Sequence, residues 1–125
     1  MAVSPEYKDF VLELLEGLDG IRIRAMFGGG GVYYNDLMFG LIANETLHFK
    51  ADDINQPDFE EEDQGPFVYE PPTGKQIAMS YWELPERLYD EPEELLIWAR
   101  NAIEAAARAK AKKPPKKKKA AKAKK

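Results

Sequence analysis

Four consecutive glycines at positions 28–31 separate two stretches of strand-like sequence. Residues 21–27 alternate apolar side chains with Arg22 and Arg24, as in a strand with one solvent-exposed face. Residues 32–34 are β-branched or aromatic, and such residues are common in strands. Glycine allows positive φ angles and close approach of two backbones, so the run predicts a sharp bend or bulge between two strands.

The same glycines also suit a loop whose amide groups bind an anion. A Walker loop has Lys followed by Ser or Thr after its last glycine, and a dinucleotide-binding loop opens a helix. Here Tyr33 stands three residues after Gly30, within strand-like sequence. We therefore favour a structural role for residues 28–31 and keep a small-ligand or anion-binding protein, or an enzyme, as the alternative.

Turn residues divide the following sequence into short strands. Asn35-Asp36 and Asn44-Glu45 are polar pairs between apolar runs, and such pairs connect hairpins. Residues 71–74, Pro-Pro-Thr-Gly, predict the turn of a later hairpin. The pattern indicates three or four strands in an antiparallel meander, followed by a second hairpin.

Apolar spacing predicts three helices. The first begins at Ser4-Pro5, the second is a short acidic helix between residues 52 and 64, and the last is capped by Asp90. The apolar face of the first helix comprises Phe10, Val11, Leu14, Leu15 and Leu18, and that of the last comprises Leu95, Trp98, Ala99, Ala102, Ile103 and Ala106. The element order α-β-β-β-β-α-β-β-α predicts a two-layer α+β fold, with helices packed on an antiparallel sheet of five to six strands.

Charge divides the chain into two parts. Residues 1–107 hold all 22 acidic residues and seven basic ones, a net charge of −15. Residues 108–125 hold Arg108 and ten lysines without an acid, a net charge of +11. Such asymmetry is typical of a folded module with an interaction tail, so we predict a domain at 1–107 and a disordered tail at 108–125.

Short motifs in the first part resemble the TfoX/Sxy N-terminal domain family. The resemblance rests on the successive residues Arg24, Ala25, Met26, Phe27, Gly28 and Gly29, then Gly31 and Tyr33, followed in the family's order by motifs at 47–52, 67–69, 79–85 and 98–99. It implies the same two-layer arrangement, and a structural or interaction role for Arg24, Met26, Phe27, Gly28, Gly29, Gly31, Tyr33, Lys50, Tyr81 and Pro85. The family's longer members regulate natural competence in bacteria and carry a helix-rich C-terminal domain, where this chain has the lysine-rich tail.

The tail is the segment whose composition points to a ligand. Lysine, alanine and proline in irregular succession resemble the tails of linker histones and of some bacterial histone-like proteins. Lysines neutralise phosphates and release counterions without recognising sequence. The predicted nucleic-acid-binding residues are Lys110, Lys112, Lys113, Lys116, Lys117, Lys118, Lys119, Lys122, Lys124 and Lys125. A solubilising tail, or one that binds the acidic domain, is the alternative.

Catalytic patterns are not evident in the acidic part. The chain has no cysteine and one histidine, His48, which the alternation of its strand places on the surface beside Lys50. These two side chains would form a basic patch with Arg22 or Arg24 if their strands were neighbours. Tyr33, Tyr34, Tyr81 and Trp82 suit stacking on bases, although strand aromatics usually pack within a sheet. We expect no catalytic residue, metal or cofactor.

The sequence therefore predicts a non-enzymatic regulatory or adaptor module. Its acidic domain is expected to contact a protein partner, and its tail to bind nucleic acid nonspecifically. Residues 1–6 lack the pattern of a secretory signal, and the longest apolar run, residues 37–43, is too short to cross a bilayer. We expect a cytoplasmic protein, associated with the nucleoid through the tail. A protein-interaction domain with a solubilising tail is the third alternative.

Overall fold

The computed structural model describes residues 4–26, 29–70 and 73–112. The elements follow in the order α1 (Pro5–Leu14), β1 (Ile21–Met26), β2 (Gly29–Tyr34), β3 (Leu37–Ala43), β4 (Thr46–Lys50), α2 (Gln56–Glu61), β5 (Pro66–Tyr69), β6 (Ile77–Glu83), a 3-10 helix (Glu86–Asp90) and α3 (Pro92–Lys112). The predicted α+β class and the predicted order of helices and strands are confirmed. The 3-10 helix before α3 was not predicted.

One antiparallel sheet contains all six strands, in the spatial order β1-β2-β3-β4-β6-β5. The first four strands form the predicted meander. The later hairpin joins it through β6, where Trp82 pairs with Phe49 of β4. Within the described residues, β1 and β5 are therefore the two edge strands.

The glycine run lies mostly inside a strand. Gly29, Gly30 and Gly31 pair with Met26, Ala25 and Arg24 of β1, so the bend predicted for all four glycines does not include these three. The connection between β1 and β2 falls at residues 27–28, outside the described residues. A Cβ atom at Gly29 would overlap the carbonyl oxygen of Ile42 in β3. Close approach of two backbones, one of the two predicted uses of glycine here, therefore explains Gly29.

The hydrophobic core lies between the helices and one face of the sheet. Val11 and Leu15 of α1 are buried there, together with Leu95, Ala99 and Ala102 of α3. From the sheet come Val32, Ile42, Leu47 and Phe49. The predicted apolar faces are thus confirmed, except that Phe10 remains 38% exposed, with its ring 5.9 Å from that of Tyr89.

A β-bulge in β3 changes which residues share a face. Val32 pairs with Gly40 but Tyr33 pairs with Met38, so Phe39 is an extra residue on β3. Phe39 is completely buried and its ring lies 5.8 Å from that of Phe49. As a result Met38 lies beside Tyr33, on the side of the sheet away from the core.

The structure adds detail at the predicted β3–β4 turn and at the end of α1. Asn44 and Glu45 both have positive φ angles, 55° and 54°, which makes the predicted β3–β4 connection a type I′ hairpin turn without glycine. Helix α1 ends at Leu14, three residues before Gly17. Among the described residues, no helix combines the length and apolar character needed to cross a membrane.

Candidate functional site

The sheet face opposite the core is the candidate site, and we call it the open face. Cross-strand partners project to the same side of a sheet. The register therefore places Arg22 of β1 and Met38 of β3 beside Tyr33, and Lys50 of β4 beside Tyr81 of β6. The adjacent row of the open face consists of Arg24, Gly31, Leu41, His48 and Glu83.

Two cations of the open face lie against tyrosine rings. The guanidinium carbon of Arg24 is 5.8 Å from the ring centre of Tyr33, and Nζ of Lys50 is 5.1 Å from that of Tyr81. Both distances are within the range of cation–π attraction. Nζ of Lys50 also donates a hydrogen bond to Oγ of Ser80, at 2.6 Å. These contacts orient flexible cationic side chains over the sheet.

The hydroxyl of Tyr81 forms a hydrogen bond with the central strand β3. It donates to the carbonyl oxygen of Met38 at 3.1 Å, across the intervening strand β4. Burial, with a smaller effect of Tyr33, raises the pKa of Tyr81 to about 12, so its hydroxyl stays protonated at neutral pH. Arg24, Tyr33, Tyr81 and Lys50 together form what we call the aromatic band.

His48 is not the surface residue that the sequence predicted. It is only 5% exposed, and its ring stands edge-on to Phe67 with the ring centres 5.3 Å apart. Nδ1 lies 3.0 Å from the carbonyl oxygen of Thr46 and 3.3 Å from that of Leu41, so Nδ1 carries the proton and donates. Burial lowers the pKa of His48, and the imidazole is therefore neutral at pH 7.

The basic patch of His48 and Lys50 with Arg22 or Arg24 depended on their strands being neighbours, and this condition is not met. Strands β2 and β3 lie between β1 and β4, so neither arginine neighbours β4. The arginines and Lys50 nevertheless face the same side of the sheet. The positive charges are thus spread across the open face and separated by tyrosines.

The helical side of the molecule is acidic. Arg87 is held there by Glu62, Glu91 and Glu94, at 2.6, 3.2 and 2.9 Å respectively. This arginine lowers the pKa of Glu94 to about 2. It stands at a groove of about 860 Å³ between α2 and α3, whose acidic lining comprises Asp58, Glu61, Glu62, Glu91, Glu93 and Glu94. The acidic and the basic surfaces of the domain therefore lie on opposite layers.

The predicted site residues separate into several groups. Arg24, Gly31, Tyr33, Lys50 and Tyr81 are brought together on the open face. Gly29 serves the close approach to β3 described above. Pro85 is buried at the start of the 3-10 helix. Met26 ends β1, and Phe27 and Gly28 lie outside the described residues.

The tail residues are described only in part. Lys110 and Lys112 belong to the last turn of α3, and Lys110 is exposed. The other eight predicted nucleic-acid-binding lysines lie outside the described residues. Arg108, counted with the tail in the predicted division, is in α3 and forms an ion pair with Asp52 at 2.7 Å. The division of the chain near residue 108 stays a prediction.

The family model of the TfoX N-terminal domain matches residues 13–106. The chain belongs to the TfoX N-terminal domain family. The match runs from the end of α1 into α3, so it includes all six strands and the aromatic band. It indicates a regulatory or adaptor role. No curated protein matches this TfoX-like chain.

Sequence reasoning missed the pairing of Lys50 with Tyr81 and the part played by Met38. The pairing depends on β4 lying beside β6, and 30 residues separate Lys50 from Ser80, its hydrogen-bond partner. The four aromatic residues considered for stacking were a usable signal. The fold divides them, because Tyr34 and Trp82 pack against the core whereas Tyr33 and Tyr81 face outward.

Proposed function

We propose that this protein is a regulatory adaptor without catalytic activity, in which the TfoX-like domain contacts a protein partner and the lysines at the C-terminal end hold nucleic acid without sequence preference. The observation that carries the proposal is the division of charge, −15 over residues 1–107 and +11 beyond them. A duplex attracts the second part and repels the first. Nucleic acid should therefore bind at one end of the chain.

The ion pair of Arg108 limits which charges serve this function. Its guanidinium donates twice to the carboxylate of Asp52, so we assign the phosphate contacts to the ten lysines that follow. Each neutralised phosphate releases condensed counterions and adds about −0.9 to the slope of log affinity against log salt. With some lysines left out of contact, a slope of roughly −4 to −8 is expected.

A salt series with unrelated DNA duplexes tests this part of the proposal. The matched control is a chain of equal length in which the eight lysines after Lys112 are replaced by glutamine. The wild-type chain should bind all duplexes alike, because phosphate contacts carry no base information. The glutamine chain should show no duplex binding at physiological salt. Equal binding by both chains, or no binding by the wild type at low salt, would contradict nucleic-acid binding by the tail. The tail would then act as a solubilising segment or bind the acidic domain.

The β5–β6 hairpin supports a protein partner for the folded domain. Val68, Tyr69 and Ile77 are 46%, 39% and 46% exposed, on or next to the edge strand β5. An exposed apolar edge strand is a template for pairing with an extended segment of another protein. A partner captured through this edge should be lost from Val68→Lys. It should be kept by Ile97→Lys, since Ile97 is 54% exposed on α3 instead.

The glycine-rich alternative has less support. Gly30 and Gly31 belong to a strand paired on both sides, with Ala25 and Arg24 of β1 and with Ile42 and Leu41 of β3. Their backbone groups are therefore engaged in the sheet and do not converge on an anion. A rise in melting temperature on adding nucleotides or phosphate, abolished by substitution in the glycine run, would restore that alternative.

A further inference from the structure

We propose that the open face is a second nucleic-acid site, selective for single strands, in which unpaired bases stack on Tyr33 and Tyr81 while Arg24 and Lys50 contact the phosphates. This goes beyond the proposed function, which places nucleic acid on the C-terminal lysines alone. The site would add base contacts to an otherwise nonspecific interaction.

The first observation is the placement of the two tyrosines. Both are half-buried on a sheet face that the helices leave uncovered, while the neighbouring aromatics Tyr34 and Trp82 complete the core. Aromatic rings on an open sheet are platforms for unpaired bases, whose flat π faces stack on them whatever the sequence. In a duplex these base faces are covered by neighbouring bases, so the site should discriminate against duplexes.

The second observation is the charge of the open face. Arg22, Arg24 and Lys50 are three of the seven basic residues within residues 1–107, yet they share one face of an acidic domain. Four acids lie near these cations: Asp36 is 3.9 Å from Arg22, Glu83 is opposite His48, and Asp52 and Asp53 line a small cavity with Lys50. The large acidic cluster lies on the helical layer instead. A polyanion is therefore complementary to the open face and not to its reverse.

The third observation is the span of the aromatic band. Tyr33 is on β2 and Tyr81 on β6, with β3 and β4 between them. At a strand spacing of about 4.8 Å, their backbones are roughly 14 Å apart across the sheet. Such a span suits a short run of nucleotides better than a single nucleotide. An acidic peptide would form ion pairs with Arg24 and Lys50, but its carboxylate side chains could not stack on the rings of Tyr33 and Tyr81.

The test uses the full-length chain in which the eight lysines after Lys112 are glutamines, so that the tail contributes little. Fluorescence anisotropy is measured with a labelled 12-nucleotide mixed-sequence DNA strand, and with the same strand annealed to its complement. We expect saturable binding of the single strand at low salt and at least tenfold weaker binding of the duplex. Equal affinity for the two forms would overturn the proposal.

Substitutions then identify the surface. Tyr33→Leu and Tyr81→Leu should each weaken single-strand binding by roughly 5- to 150-fold, the range that corresponds to about 1–3 kcal/mol per stacked base. Phe10→Leu, at a ring that is 38% exposed on α1 in the helical layer, is the matched control and should change nothing. If all three substitutions have the same effect, the open face is not the site.

A folding defect is separated from lost stacking by variants that keep the ring. Tyr81→Phe loses the hydrogen bond to Met38 but keeps the stacking surface, so it should bind single strands like the parent.

Arg24→Gln tests the phosphate contact and should make the slope of log affinity against log salt less steep by about 0.7, the value for one phosphate contact on a single strand. Loss of binding in Tyr81→Phe, or an unchanged slope in Arg24→Gln, would contradict the assigned roles.

A glutamate-rich peptide of similar charge, added as competitor, decides between nucleic acid and acidic protein. It should displace the strand far less well than an unlabelled oligonucleotide does. Equally good displacement would overturn the single-strand proposal in favour of an acidic partner. The tail proposal is tested separately, since it predicts duplex binding by the wild-type chain that none of the tyrosine substitutions alters.

Discussion

The guanidinium of Arg108 holds the carboxylate of Asp52 in a two-point ion pair, with Nε 2.7 Å from Oδ2 and Nη2 2.9 Å from Oδ1. Asp52 lies just after β4, and its Oδ1 also accepts from the backbone amides of Ile54 and Asn55. The pair therefore joins the last turns of α3 to the loop that leads into α2. It links Arg108, which the predicted division counts with the tail, to the loop after β4.

This ion pair predicts a specific loss of stability in acid. The hydrogen bond from Arg108 is the main cause that lowers the pKa of Asp52 from 3.8 to about 2. Since the folded pKa is depressed, the stabilisation is present above pH 4 and is lost as pH falls from about 4 to about 2. Asp52→Asn should lower the free energy of unfolding by on the order of 1 kcal/mol at pH 7. In thermal melts, the difference in melting temperature between Asp52→Asn and wild type should shrink over that pH range.

Asp53→Asn is the control for this experiment, since Asp53 is exposed and adjacent in sequence. It should leave the melting temperature nearly unchanged at every pH. A gap between Asp52→Asn and wild type that persists at pH 2 would contradict the assigned role of the ion pair.

Close packing of β2 against β3 predicts that Gly29 tolerates no side chain. A Cβ atom there would overlap the carbonyl oxygen of Ile42, which is a backbone atom and cannot move aside cheaply. Gly29→Ala should therefore cost about 1–3 kcal/mol of unfolding free energy, measured by urea denaturation. Gly65→Ala is the matched control, because a Cβ at Gly65 meets no atom within 4 Å. Equal stability of the two variants would show that the strands separate more easily than their pairing implies.

The β3–β4 hairpin predicts a stabilising substitution. Glu45 occupies a left-handed conformation, with φ of 54°, in a turn that favours Asn followed by Gly. Glu45→Gly should raise the unfolding free energy by about 0.5–1 kcal/mol, because glycine is not strained there. The carboxylate of Glu45 also accepts from the amide of Ser4 at 3.3 Å, an exposed contact that is lost in the variant. Glu45→Gln keeps an acceptor at that position, and it should show no gain in melting temperature.

Burial of His48 predicts a second loss of stability in acid, caused here by a base that is neutral in the folded protein. Burial lowers its pKa below 6.5 in the folded state, so the unfolded chain takes up the proton first as pH falls. Stability should therefore fall as pH drops below 6.5 towards the folded-state pKa. His48→Asn, whose amide can donate in place of Nδ1, should remove this contribution. A melting temperature whose pH dependence below 6.5 is the same in both proteins would contradict the buried neutral imidazole.

Much of the fold follows from local sequence because its strands are short and their turns distinctive. Asn44-Glu45 marks a hairpin since a polar pair interrupts two apolar runs, and the structure places a two-residue turn there. The apolar spacing of α3 likewise identifies Leu95, Ala99 and Ala102 as core residues. In these segments local preference and the final packing agree.

The remainder depends on contacts between distant residues. Alternation along β4 suggests that His48 faces water, but it cannot show that Leu41 and Phe67 cover that position. The run at 37–43 is apolar at nearly every position, so nothing in its pattern reveals that Phe39 is an extra residue. The aromatic band requires β6 beside β4, an arrangement that neither strand specifies alone.

The end of α3 lies close to the open face. A small cavity is lined by Lys50, Ser80 and Asp52 together with Ala109, so the helix that leads into the basic segment passes one end of the aromatic band. A strand held by the C-terminal lysines would meet the tyrosines as a tethered ligand, at an effective concentration that reaches the millimolar range for short connections. Two weak contacts would then give an avidity that neither reaches alone.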